Sequence, residues 1–209
     1  MKKGFTLLEL IFSMVIIAIA FSVLPKILMM ATKVSTQSVR EEAMFSAVAL
    51  AGFIHATPWD EQNTQVDDIL HVSAGDSDYD CSSSSYLRVG GFVGSRNCKN
   101  NKNASSLGSD SNDGSAYDDV DDFGDTTSSN LNDSRQYTLK VDIDYVDDIN
   151  INDGSSFSTT TSSSSTNTKY IKIQVQPQTK AKELRSNVAT FDFYSLNIGQ
   201  LQVNKRVWQ

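Results

Sequence analysis

The chain has 209 residues and a net charge of −7, which leaves room for one ordinary domain with appendages. Its charge is unevenly spread: residues 57–168 hold 20 Asp and Glu against six Lys and Arg, whereas residues 169–209 hold two against seven. A nucleic-acid-binding protein carries a basic surface over its whole domain, so this balance argues against that class. The basic tail leaves only a minor case for contact with DNA.

An apolar stretch begins almost at the N-terminus. Residues 5–24 read FTLLELIFSMVIIAIAFSVL, with a single charge. At about 1.5 Å of rise per residue, this stretch matches a hydrocarbon core of about 30 Å. The preceding residues, 1–4, form a basic leader that favours a cytoplasmic N-terminus. The sequence therefore predicts one membrane span, with the rest of the chain outside.

Two alternatives for this stretch are less favoured. A secretory signal peptide has about 7–15 apolar residues before a small-residue cleavage site, and Ala18-Ile19-Ala20 resembles such a site. The apolar run, however, continues past these residues to Leu24. A plain membrane anchor would have no reason to carry Glu9 inside the membrane.

Glu9 is the informative residue of the span. An acid near the middle of a spanning helix costs about 2.5–3.5 kcal/mol on insertion scales and is a functional-site hypothesis by default. No basic residue lies between Phe5 and Leu24, so its partner must be another molecule or the chain's own terminus. Cleavage after Gly4 would create an α-amino group on Phe5 that supplies this charge in an adjacent subunit. Glu9 would then set the stagger between subunits.

The octet KGFTLLEL at residues 3–10 resembles the signature of type IV prepilins and type II secretion pseudopilins. The resemblance implies that a dedicated peptidase cuts after Gly4 and methylates Phe5, and that Glu9 pairs with the terminus of a neighbouring subunit. It also implies a single-pass protein of the bacterial inner membrane, with its head in the periplasm before extraction into a pilus or pseudopilus. Its partners would be other pilin subunits, the prepilin peptidase and an inner-membrane assembly platform.

The helix is expected to continue beyond the span. Helix formers persist from Lys26 to Ala56, and an apolar stripe at helical spacing marks a face that would lie against a sheet. The helix should end near Ala56, because Pro58 disfavours helical geometry at Thr57. The stripe consists of Val39, Ala43, Ala47, Leu50 and Ile54.

Alternating apolar and polar residues predict strands in the second half of the chain. A turn at Asn197-Ile198-Gly199 separates the last two candidates. Together with the resemblance, these patterns predict an α+β fold, in which a long N-terminal helix packs on an antiparallel β-sheet as in pilins. The strand candidates are Tyr137–Val146, Tyr170–Val175, Val188–Asn197 and Leu201–Val207. The predicted parts are a leader at 1–4, a transmembrane or filament-core helix at 5–24, its amphipathic half at 25–56, and a head with polar loops at 57–209.

The region between Trp59 and Arg135 reads mostly as loops. The exception is a predicted β-hairpin over 86–93, with Gly90-Gly91 as its turn. The tract at 99–115 cannot bury enough apolar area to order itself, so we expect it to be exposed.

Cys81 and Cys98 are the only cysteines. A single pair in an exported protein predicts one disulfide, worth about 3 kcal/mol in the chain-entropy model. The alternative is a pair of free thiols in a cytosolic protein.

No catalytic constellation is visible. The two histidines, His55 and His71, cannot be assigned as base or orienter from their spacing, so we expect no enzyme and no small-molecule substrate. Calcium is the one cofactor hypothesis, since a dense acidic segment has reason to recruit a hard cation. The alternatives are a solvated acidic loop or one that pairs with the basic C-terminal strands. The candidate ligands are Asp118, Asp119, Asp121, Asp122 and Asp125.

The function predicted from these features is that of a structural subunit, and length and polar loops favour a minor one. The alternatives are a subunit whose loops serve adhesion or calcium-dependent binding, and a type II secretion pseudopilin. The chain is also similar to minor pilins of mannose-sensitive haemagglutinin type in four parts: YDDVDDF at 117–123, the alternating strand that follows it, KYIKIQV at 169–175 and FYSLNIG at 193–199.

Overall fold

The computed structural model divides the chain into two units, Met1–Ala43 and Met44–Gln209. Helix α1, Leu7–Ala56, is continuous and contributes to both. It ends two residues before Pro58, as the sequence predicts. The described residues are 6–63, 69–82, 84, 86–88, 97–99, 101–108, 117–124, 137–150, 156–177 and 189–199.

The first unit contains the apolar part of α1. Among the described residues, α1 is the one helix long and apolar enough to cross a membrane, with a mean hydropathy of 2.6 over an 18-residue window in which no residue is buried. Two of its hydroxyl groups bond within the helix: Ser13 Oγ donates to the Leu10 carbonyl and Ser22 Oγ to the Ile19 carbonyl, both at 2.8 Å. Such local bonds satisfy these two hydroxyl groups in lipid.

The second unit contains a three-stranded antiparallel sheet. Its strands are β1, Tyr137–Val146, β2, Thr168–Pro177, and β3, Ala189–Leu196, in the order β1-β2-β3. One long helix and one antiparallel sheet confirm the predicted α+β class. The predicted strand at 201–207 and the Gly90-Gly91 turn lie outside the described residues.

The core of the second unit lies on one face of this sheet. Val141, Ile173 and Phe191 stand opposite one another across the three strands, and Val141 and Ile173 are almost fully buried. Ala47 and Ile54 in the last turns of α1 are fully buried, as their place in the apolar stripe predicts. The helix and sheet therefore bury the apolar faces that their periodicities mark.

Most of residues 101–108 are exposed, as expected for the tract 99–115, but Ala104, Ser105 and Leu107 are half-buried and the segment is held to the head. The backbone of His71 bonds on both sides to this segment, from its N–H to the Lys102 carbonyl and to its carbonyl from the Ala104 N–H, each at 2.8 Å. Leu107 packs against the cluster around Trp59. Long-range backbone pairing thus orders a segment whose own composition would not.

Candidate functional site

The N-terminal motif is partly visible in the structure. Gly4 and Phe5 lie outside the described residues, whereas Glu9 lies in the first turn of α1 and is exposed. None of the described side chains pairs with its carboxylate. The positive end of the helix dipole contributes only about 0.3–1 kcal/mol to a carboxylate in such a position, so it does not replace a counter-charge. The pairing of Glu9 with another subunit stays a prediction.

A second group of charges lies inside the head. Lys169 on β2 is fully buried, and its ammonium donates to the Trp59 carbonyl at 2.6 Å and to Asp121 Oδ1. The Lys169 Nζ also lies 3.8 Å from Asp60 Oδ2 and 4.4 Å from the centroid of the Trp59 ring. The Tyr145 ring covers another side at 5.4 Å. We call Lys169, Asp60, Asp119 and Asp121 the Lys169 cluster.

Asp60 is held in place from two directions. Its Oδ1 accepts from the Gln62 N–H at 3.0 Å, and its Oδ2 accepts from the N–H and hydroxyl of Ser105 at 2.8 and 2.9 Å. Three hydrogen bonds compensate a carboxylate that is fully removed from water. Ser105 thereby ties the segment 101–108 to the Lys169 cluster.

Asp119 and Asp121 are carboxyls of altered acidity. Burial raises the pKa of Asp119 to about 8, and the neighbouring Asp121 charge adds to this, although backbone N–H groups of Asp121 and Asp122 donate to its Oδ1. Burial also raises the pKa of Asp121, against the opposing effect of Lys169. Asp119 therefore holds a proton near neutral pH that an exposed aspartate would not hold.

Replacing Asp119 with asparagine is expected to flatten the pH dependence of stability. The folded chain binds a proton at Asp119 between pH 3.8 and about 8 that the unfolded chain does not bind. The free energy of unfolding therefore falls as pH rises through this window, by at most about 1.4 kcal/mol per pH unit. An asparagine side chain keeps the accepting oxygen but cannot titrate. In denaturant titrations, the free energy of unfolding of Asp119→Asn should therefore rise relative to that of the wild type toward alkaline pH.

The control is Asp147→Asn, at an exposed position directly after β1. It should follow the wild-type pH profile. A parallel profile for Asp119→Asn would show that Asp119 is ionised in the folded chain at neutral pH.

The predicted calcium ligands are engaged with the chain itself. Asp122 Oδ2 accepts from the N–H groups of Asp118 and Asp119 at 3.0 and 3.3 Å, and Asp121 contacts Lys169. Within the part of the chain that the structure describes, no three His, Cys, Asp or Glu side chains form a group that could hold a metal ion. Asp125 lies outside that part, and the calcium site stays a prediction. The contact with Lys169 agrees with the alternative in which the acidic segment pairs with the basic C-terminal strands.

Lys169 is the residue that the sequence analysis missed. It has the same parity as Ile171 and Ile173, so extending the β2 pattern by one residue places it on the buried face. The sequence did contain a signal for a buried contact between lysine and aspartate. This signal was a lysine at an inward position of the strand, together with the dense run of aspartates at 117–124.

The cysteines lie as predicted. Cys81 and Cys98 form a disulfide with a Cα–Cα separation of 6.3 Å across 17 residues. Near it, the Arg88 guanidinium donates to the Asn197 carbonyl at 2.6 Å and to Asn167 Oδ1 at 2.8 Å. The disulfide loop is thus tied to the ends of β2 and β3.

Residues 1–25 match the family model of the prokaryotic N-terminal methylation motif. No curated protein and no solved structure matches the chain significantly. The motif match confirms the resemblance to type IV pilins and pseudopilins, while the narrower resemblance to one minor-pilin type is not confirmed. The motif, the apolar helix and the α+β layout together support a type IV pilin-like or pseudopilin-like protein anchored in a membrane.

Proposed function

We propose that this chain is a structural subunit of a type IV pilus or pseudopilus, processed after Gly4 and assembled through α1. The observation that carries the proposal is the methylation motif at 1–25, joined to an exposed apolar helix. Glu9 supports contact between this helix and a second subunit, because its carboxylate has no partner among the described residues. The terminal amine of a neighbouring subunit would be that partner.

The proposed route begins in the bacterial inner membrane, with the head in the periplasm. A prepilin peptidase removes residues 1–4, and an assembly platform extracts the subunit into a filament with other pilins. The polar loops between Trp59 and Arg135 favour a minor subunit over a major one, since a subunit repeated along a whole polymer usually has a compact head.

The mature chain is expected to begin at an N-methylated Phe5. The mass of the N-terminal peptide, measured on protein extracted from membranes, checks this. Gly4→Leu should block processing and leave the leader attached, because it places a bulky side chain directly before the scissile bond. Thr6→Ser, on the other side of Phe5, is the matched control and should be processed normally. A wild-type chain that retains Met1 in cells with an active prepilin peptidase refutes the proposed class.

A further inference from the structure

The side chains of Lys169 and Asp121 meet inside the head. They are 0% and 3% exposed, and the Lys169 Nζ contacts Asp121 Oδ1 directly. Cleavage after Gly4 and assembly through α1 do not involve this pair. We propose that Lys169 and Asp121 become joined by an amide bond, a covalent cross-link between β2 and the acidic segment 117–124.

The contact between the two groups permits condensation. An amine is nucleophilic only when it has lost its proton, and a carboxyl accepts an amine only when it has gained one. The Lys169 Nζ touches Asp121 Oδ1, so one proton passed directly between them gives both reactive forms. The Trp59 and Tyr145 rings, 4.4 and 5.4 Å from the Lys169 Nζ, help to exclude the water that would reverse the reaction.

The condensation balances without a further reactant. The Lys169 Nζ attacks Asp121 Cγ, a C–N bond forms and a C–O bond of the carboxyl breaks. The departing oxygen leaves as water with one proton from the carboxyl and one from the amine. No electron is gained or lost, so neither an oxidant nor a reductant is needed.

A neighbouring carboxyl group is placed to move a proton. Asp60 Oδ2 lies 3.8 Å from the Lys169 Nζ and is fixed by hydrogen bonds from Ser105, so it is able to take the proton that the amine loses as the C–N bond forms.

The cross-link would add a covalent bond between β2 and a segment that loops otherwise connect to the rest of the head. It joins β2 to a segment whose 3₁₀ helix, Asp121–Phe123, contacts β1. A covalent bond there prevents the segment 117–124 from separating from the sheet when the subunit is pulled.

Mass spectrometry of the full-length chain, extracted in detergent and reduced, tests the proposal. The mass is expected to be lower by one water molecule than that of the same processed chain without the bond. Trypsin should release a branched peptide that joins residues 103–135 to residues 141–172, with no cleavage after Lys169. The linear peptide 141–169 should be absent.

Two variants sharpen the result. Lys169→Met should restore the full mass, whereas Lys172→Met, on the opposite face of the same strand, should keep the deficit of one water. A full mass in the wild type with a stoichiometric linear 141–169 peptide overturns the proposal and leaves an ion pair. If Lys169→Met does not accumulate, the wild-type tryptic digest still decides.

Discussion

Replacing Lys169 with methionine is expected to lower the free energy of unfolding of the head by about 3–5 kcal/mol, since the change leaves the buried carboxyl groups of Asp60 and Asp121 without their partner. Methionine keeps most of the apolar stem but cannot bond to Asp121 or to the Trp59 carbonyl. Denaturant unfolding of the full chain in detergent measures the loss. The Trp59 ring lies 4.4 Å from the Lys169 Nζ, so the contribution of Trp59 to the fluorescence reports on this cluster.

A second change separates charge from packing. Lys169→Met combined with Asp121→Asn removes both partners, so this double variant should be more stable than Lys169→Met alone. Lys172→Met, at a half-exposed position on the other face of β2, should change stability by less than about 1 kcal/mol. A double variant that is less stable than Lys169→Met would show that the pair is not what stabilises the head.

Replacing Glu9 with glutamine is expected to leave processing intact and to remove the subunit from filaments. Glutamine has nearly the same size and still accepts hydrogen bonds, but it cannot pair with a neighbour's terminal amine. The cleavage site lies between Gly4 and Phe5, four residues before the change, so the N-terminal mass should match the wild type. The amount of subunit in sheared filaments, relative to that in membranes, measures incorporation.

The matched control for Glu9 is Ser13→Ala, one turn further along α1. The Ser13 hydroxyl already bonds to the Leu10 carbonyl within the helix, so its loss should not affect assembly. Wild-type incorporation of Glu9→Gln would contradict the charge pairing even where the N-terminal mass still shows a processed pilin-like chain.

Much of the fold could be predicted because its elements have strong local patterns. Five apolar residues alternate with polar ones over Tyr137–Val146, and β1 has these bounds. The Asn197-Ile198-Gly199 turn also follows β3, and Gly199 has a φ of 72°, a conformation that glycine adopts without strain. Such patterns survive folding because the sheet pairs residues that are already placed alternately on two faces.

Long-range polar contacts could not be predicted in the same way. Asn197 was expected only as the last residue of a strand and the first of a turn, yet its side chain is fully buried and bonds to both the N–H and the carbonyl of Leu70. Asp60 and Asp121 are 61 positions apart and still meet around one lysine. No periodicity links such residues, so only the folded chain shows which polar groups compensate one another.

The sequence by itself determined the proposed role of the N-terminal helix. An apolar stretch with one acid follows a basic leader that ends in a glycine. This pattern defines a membrane helix that requires a partner, since lipid cannot solvate the charge of the acid. The tertiary structure decided where Asp60, Asp119 and Asp121 of the acidic middle of the chain lie. Composition places these aspartates in water, yet they are buried around Lys169, because a lysine at a core position on β2 is tolerable only with carboxyl groups beside it.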